Sequence, residues 1–528
     1  MRRKLLVYAS AGVVLLVAAG VAADRYVDSL EPRARHRVVA ALQDRFDADV
    51  ELKSLALSLY PEPNVVGEGL VITHRRWRGE HAVLRMRKFT ARTGYWDLVL
   101  QHDTVKTLII EGLEIHVPPR GRSMSASRYQ DEHEIASDQP GRDTTQLRFK
   151  IRTIIADGTL LEIEPKIQSK LPLQFEIARL KVESVGAGQP LSFKASLTNA
   201  KPPGLIDTSG KFGPWQKDDP RSTAVSGSYV FQNADLAVFS GINGTLSSAG
   251  AYHGVLQHIE VDGTTDTPNF ALRRAASPVH LQTKFHSIVN GGDGDTILEP
   301  VDARFLKSQF ICRGSIMSRQ GQRGKTVALY ATATRARMED ILRLVIADEK
   351  PILTGDVDFR SRIDIPPGNE DVIDKLRLDG QFKILAAQFT TPKAQERLRT
   401  LSDRARGITK SDEKGRLSEA IASNFYGRFR LQRGEAHFSQ LRFEVPGANI
   451  RLAGDYGLQS QRIDLSGTFQ MQATLADTQS GIKHWLLKPL DPFFEKNGAG
   501  FQVPLTITGD RAHPEIGIKM FRHQFTLK

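Results

Sequence analysis

From residue 49 almost to the C-terminus, apolar and polar side chains alternate. The pattern is plain in Val50-Glu51-Leu52, Trp96 to Gln101, Val105 to Glu111, Leu113 to Val117, Leu147 to Ile155 and Leu160 to Ile163, and it recurs through the rest of the chain. A period of two puts successive side chains on opposite faces of a strand, so each segment has one oily and one wet face. Dipeptides that suit tight hairpins occur at Asp157-Gly158, Asn243-Gly244, Asp262-Gly263, Asn290-Gly291, Asp379-Gly380 and Asn497-Gly498. Together these features predict a largely antiparallel sheet.

A degenerate unit also recurs, in which a Gly is followed at the second and fourth positions by apolar residues; its copies begin at Gly227, Gly355, Gly380, Gly427 and Gly467. Their irregular spacing excludes a propeller or solenoid of fixed period. In each copy the apolar pair shares a face: Tyr229 with Phe231, Val357 with Phe359, Phe382 with Ile384, Phe429 with Leu431, and Phe469 with Met471. These ten side chains are the candidate lining of the oily face, with packing under a helix as the competing role for each. Helical spacing interrupts the strands at 336–347, where Met338, Ile341, Leu342, Val345 and Ile346 share a stripe, and again at 392–406 and 475–487. The polar stretches 121–143 and 410–419 read as exposed loops.

The first 48 residues are patterned differently. Arg2, Arg3 and Lys4 precede an uncharged run of 19 residues, Leu5 to Ala23, closed by Asp24 and Arg25. Such a run can cross a bilayer, which takes a helix of about 20 residues. A cleaved signal peptide competes, since Val21-Ala22-Ala23 resembles a cleavage site, but the run exceeds the usual signal core and favours a retained anchor. The basic residues before it keep 1–4 in the cytoplasm and send the bulk of the chain outside, into the periplasm of a double-membrane bacterium. Within 24–48, a helix starting at Pro32 groups Leu30, Val38, Leu42 and Phe46 on one face, with Arg33, Arg35, Arg37 and Arg45 mostly on the other. It either lies against anionic headgroups or docks on the sheet region that follows. That region is read as two parts, 49–335 and 336–528.

The search for chemistry nominates nothing. Hydrophobic residues at 40% and charged residues at 25% are ordinary for a globular chain, and the lone Cys312 excludes a disulfide framework or a multi-cysteine metal site. Gly321 to Thr326 resembles the end of a phosphate loop, but Arg319 stands where the first Gly belongs and no helix pattern follows, so it reads as a turn. Gly291 to Asp295 lacks the tandem copy of a calcium-binding repeat, and Asp131-Glu-His133-Glu134 lies in the most polar stretch, as a solvated charge cluster does. There is no His-Glu-x-x-His and no Gly-x-Ser-x-Gly. No catalytic residue, cofactor or metal ligand is therefore expected. The net charge of +12 comes from basic residues scattered among acidic ones, a poor fit to nucleic acid, and Arg75-Arg76-Trp77-Arg78 is too brief to change that. Anionic lipid is the better partner for that excess.

Several motifs resemble the AsmA family of bacterial envelope proteins. They are Asp49 to Pro63 with its Ser58-Leu-Tyr60-Pro-Glu-Pro63 end, Leu108-Ile-Ile-Glu-Gly-Leu113, Ile352-Leu-Thr-Gly355 with Ile365-Pro-Pro-Gly368, and Leu376 to Phe389. Further along come Gly454-Asp-Tyr-Gly457 with Ile463-Asp-Leu-Ser-Gly467, Lys488 to Phe494, Pro504 to Gly509 and Pro514-Glu-Ile-Gly517. The resemblance covers both ends of the chain and is thin between about 120 and 330. It implies an elongated, twisted β-sheet forming an open groove, single-pass anchorage in the inner membrane, and transfer of phospholipid or another acyl lipid in support of outer-membrane biogenesis. It brings no catalytic residues. About two dozen strands would give a groove on the order of 110 Å, short enough that an outer-membrane or periplasmic protein partner is expected. A scaffold that tethers partners without moving lipid is the alternative.

Overall fold

The computed structural model describes residues 31–36, 38–40, 42–43, 48–58, 60, 62–74, 84–94, 104–117, 150–163, 173–185, 189–214, 216, 219–272, 277–319, 324–345, 351–406, 421–471, 502–510, 513–520 and 523–527. The apolar run 5–23, Arg37, the strand expected at 96–101, the loops 121–143 and 410–419, the helix expected at 475–487 and Asn497-Gly498 lie outside these residues. Among the described residues no helix is long and apolar enough to cross a membrane. The chain divides into two compact units, 1–234 with 249–261 and 289–294, and 235–248 with 262–288 and 295–528. The helix that opens the 336–528 region of the sequence reading lies inside the second unit.

The first unit is built on β1 (Ala48–Ser58), β2 (Asn64–His74), β3 (Leu84–Arg92), β4 (Thr104–Val117), β5 (Lys150–Asp157), β6 (Thr159–Ile163), β7 (Leu173–Val185), β8 (Leu191–Ala200), β9 (Pro203–Phe212) and β10 (Ala224–Asp235). From β1 to β4 and from β7 to β10, sequence neighbours pair antiparallel. Between them the expected antiparallel order breaks: β4 takes β5 and then β6 in parallel, and both pair antiparallel with β7. A parallel neighbour needs a crossover of a dozen or more residues, and 118–149 supplies that length. Asp157-Gly158 is therefore no hairpin but a break between two collinear strands, with Gly158 at φ 67° and its N–H donating to the Ala178 carbonyl at 3.2 Å.

Helix α1 (residues 31–36, 38–40 and 42–43) lies on this sheet. Its Ala34, Val38, Val39 and Leu42 pack on Val50, Leu52, Leu55, Leu70 and Ile72, and the Glu31 carboxylate accepts the Leu57 N–H at 3.0 Å. The helix thus docks its apolar face on the sheet, the second of the two roles that its sequence left open. Arg33 and Arg35 remain exposed.

Strands β11 (Ile242–Asn243), β12 (Thr245–Val255), β13 (His258–Leu272) and β14 (Val279–Val289) follow. The second unit then continues with β15 (Thr296–Phe305), β16 (Ser308–Ser318), β17 (Lys325–Arg337), β18 (Leu353–Ile365), β19 (Arg377–Phe389), β20 (Ser423–Gln432), β21 (Glu435–Val445), β22 (Ala448–Gly457), β23 (Arg462–Met471), β24 (Gln502–Asp510), β25 (Pro514–Met520) and β26 (His523–Leu527). Each pairs antiparallel with the next. Helices α2 (Met338–Val345), α3 (Val372–Lys375) and α4 (Pro392–Ala405) fill connections between strands.

Most of the dipeptides expected to turn do not. Asp262-Gly263 lies within β13 and Asp379-Gly380 within β19; Asn243-Gly244 separates β11 from β12, and only Asn290-Gly291, among those described, sits in a connection. The hairpin between β20 and β21 instead turns on Arg433-Gly434, at φ 53° and 73°, the two left-handed residues of a type I′ turn.

Candidate functional site

In the second unit the antiparallel register lines the apolar positions into rows that cross the strands. One row runs Ala336, Val357, Ile384, Phe425, Phe443, Ile450, Phe469. Helices cover it. Met338, Ile341 and Leu342 of α2 pack on Leu353, Val357, Ile384 and Ala387, and Leu398 of α4 is buried with Val445 and Ala448 against Phe443, Phe469 and Met471. Four of the ten predicted lining residues, Val357, Ile384, Phe469 and Met471, are therefore partners of helices.

The adjoining rows are Ala333, Phe359, Phe382, Gly427, Leu441 and Ala331, Ser361, Gly380, Phe429, Phe438. Here the rings of Phe359, Phe382, Phe429 and Phe438 stay half-buried, as does nearby Phe310, while Phe305 is buried. They touch in series: Phe305 to Phe310 at 5.3 Å between centroids, Phe310 to Phe359 and Phe359 to Phe429 at 6.4 Å, Phe382 to Phe429 at 6.2 Å, and Phe429 to Phe438 at 6.4 Å. These are the separations of favourable aromatic pairs. Phe359, Phe382 and Phe429 were legible from the Gly-headed unit; Phe305, Phe310 and Phe438 were missed because they stand outside it, though their alternation marks the same face. Leu431 lies one row further on and is buried between Leu378 and Ala436. Tyr229 and Phe231 belong to β10 of the first unit, where both are half-buried on one face.

The glycines explain themselves in this register. Gly427 faces Phe382, and a Cβ there would collide with the ring. In the first unit Gly67 receives Phe89 in the same way. Glycine on the apolar face is thus a seat for a neighbouring ring, the device that rescues a glycine within a strand.

Among the described residues the buried apolar groups fall into several small clusters along the strands. Among the described residues, the largest side chains less than 2% exposed are Thr159, Thr223, Thr267, Ser361, Ser402 and Ser423. The opposite face is wet: Asp379 pairs Arg430 at 3.1 Å and Asp455 pairs His437 at 2.7 Å, both exposed and so worth little stability. Cys312 shares the apolar face with Ala331, and burial pushes its thiol up, so it stays protonated near neutrality.

Helix α2 is held by charge as well as by packing. Asp340 is 5% exposed and accepts the Lys307 N–H at 2.9 Å and the Ser308 hydroxyl at 2.8 Å. Glu339 accepts from Arg337 Nε at 2.8 Å and from the Gly355 N–H at 3.3 Å. Partial burial alone would raise the Glu339 carboxyl, but the hydrogen bonds from its own backbone, Arg337 and Gly355 outweigh it and hold the group below its usual range. Sequence reading missed both acids, although acidic residues opening a helical stripe are a signal for its N-terminus.

This arrangement offers an apolar surface lined by Phe rings. Among the described residues no three His, Cys, Asp or Glu gather to hold a metal ion. Arg33 and Arg35 belong to α1 of the first unit. No family model, curated protein or solved structure matches the chain.

Proposed function

We propose that this is an inner-membrane-anchored periplasmic protein of outer-membrane biogenesis, which carries phospholipid acyl chains along an open apolar β-groove between the inner and outer membranes. The observation that carries the reading is the row of touching, half-buried Phe rings on strands whose other face is charged. The rings are packed on one side and partly open on the other, and an acyl chain is an occupant of matching chemistry for the open side. In this mechanism the chains slide over Phe359, Phe382, Phe429 and Phe438, α2 and α4 form one border, and headgroups stay in water at the other. The resemblance of the terminal motifs to the AsmA family points the same way.

The purified full-length chain is expected to carry phospholipid detectable by mass spectrometry of its organic extract. The double variant Phe382→Asp/Phe429→Asp should lose that lipid while keeping the β circular dichroism of the parent. Bound lipid should also slow reaction of Cys312 with a lipophilic maleimide. A chain purified without lipid, or one in which the double variant unfolds, would replace transport with a scaffold role.

A further inference from the structure

The β1–β2 hairpin turns at Tyr60, which is 86% exposed, against 51% for Tyr330, the next most exposed large apolar or aromatic side chain among the described residues. The turn is braced: the Ser58 hydroxyl donates to the Tyr60 carbonyl at 3.0 Å, Asn64 Nδ2 to the Glu62 carbonyl at 2.9 Å, and the Thr93 N–H to the Pro63 carbonyl at 3.0 Å. A fixed backbone thus holds an aromatic ring out into the surroundings.

Helix α1 starts at the same place. Glu31, its first described residue, bonds the Leu57 N–H at 3.0 Å, three residues before Tyr60. Ala23, the end of the apolar run, is eight residues before Glu31, so the two are at most about 28 Å apart. The far end of β1, at Ala48, lies about 33 Å from the turn along the strand. If the run crosses a bilayer, the tether therefore keeps the turn within reach of the membrane surface, a limit that the far end of the hairpin does not share. Arg33 and Arg35 are exposed on the first turns of α1, beside it.

We propose that the β1–β2 turn is a membrane-contact site, in which Tyr60 enters the headgroup layer of the bilayer that holds the Leu5–Ala23 run while Arg33 and Arg35 face anionic headgroups. A tyrosine ring, apolar with one polar tip, suits that depth, and basic residues near an anionic surface add to the attraction. Glu62, exposed in the same turn, opposes anything deeper. The inference rests on the retained-anchor reading, and the test separates the two.

The full-length chain with Cys312→Ser would be reconstituted into phosphatidylethanolamine–phosphatidylglycerol vesicles, with one environment-sensitive fluorophore on Ser10→Cys, Glu51→Cys or Tyr60→Cys. The label at 60 is expected to shift to the blue and be quenched by headgroup-level nitroxide lipid, the label at 51 to remain in water, and the label at 10 to be quenched only by deep nitroxides. Quenching at 60 should weaken in Arg33→Gln/Arg35→Gln, and only when phosphatidylglycerol is present. A buried label at 10 with a wet label at 60, or equal quenching at 51 and 60, overturns the proposal and leaves the anchor standing. A wet label at 10 overturns the anchor reading and this inference with it.

Discussion

Neighbouring rows on the same strands of the second unit differ most where α2 lies. In the covered row Val357 and Ile384 are 2% and 3% exposed beneath α2, whereas Phe359 and Phe382, one register step away, and Phe429, two steps away, are half-buried, as are Phe425, Phe443 and Phe469 where the covered row runs on beyond α2. Alternation treats the rows identically. What separates them is whether a connection happens to contain a helix with an apolar stripe, so strand patterning sets the face and the loops decide how much of it becomes core. The widest test of that difference is to place a charge in each row. Ile384→Asp buries a carboxylate with no partner and should cost about 3–5 kcal/mol in urea unfolding, enough to disrupt the second unit. Phe429→Asp should cost no more than about 1.5 kcal/mol, because its carboxylate can reach water. Equal costs would mean that the Phe row is core.

The glycine seats sharpen the comparison at a smaller scale. Gly427→Ala puts a methyl group where the Phe382 ring lies, and a strand paired on both sides has little room to shift. The ring must leave its rotamer, at about 1–3 kcal/mol. Gly67→Ala should produce a similar loss against Phe89 in the first unit. The double variant Gly427→Ala/Phe382→Ala should recover part of the loss, because it removes the group being displaced; a loss equal to the sum of the single changes would show that backbone, and not the ring, resists the methyl.

The strand-rich class, the helices at 338–345 and 392–405 and the oily face were all legible, because each leaves a periodicity in the sequence. Turn positions were not. Asp379-Gly380 has hairpin chemistry, yet Gly380 lies in mid-strand between Ser361 and Phe429, where the absence of a side chain is what matters. The true turn at Arg433-Gly434 carries an Arg at positive φ that no dipeptide preference suggests. The parallel pairing of β4 with β5 was hidden for a similar reason: alternation reports which face a residue occupies and not which strand lies beside it. As for the candidate site, three of the six touching Phe residues were identified beforehand, and packing under a helix was named as the competing role for every lining residue, but which of them α2 and α4 would take was not legible, since it depends on where those helices come to rest.

That resting place is what the smallest predicted effect examines. Glu339 anchors the start of α2 through Arg337 and the Gly355 N–H, and its carboxyl is held below the ordinary range despite the opposing pull of burial. A carboxylate whose folded-state affinity for protons is reduced contributes stability only while it is ionised. Its contribution is complete above the unfolded value near 4.5 and is lost as pH falls through the lower folded value. Acidification from neutrality should therefore leave α2 in place until about pH 4.5, then raise amide exchange in 338–345 before exchange rises in the Phe row. Glu339→Gln should remove that acid step and lower stability at neutral pH instead. If the covered and uncovered rows loosen together in acid, or if the step persists in Glu339→Gln, the Glu339 carboxylate has no part in keeping that row dry and the helix is held by its apolar contacts and Asp340.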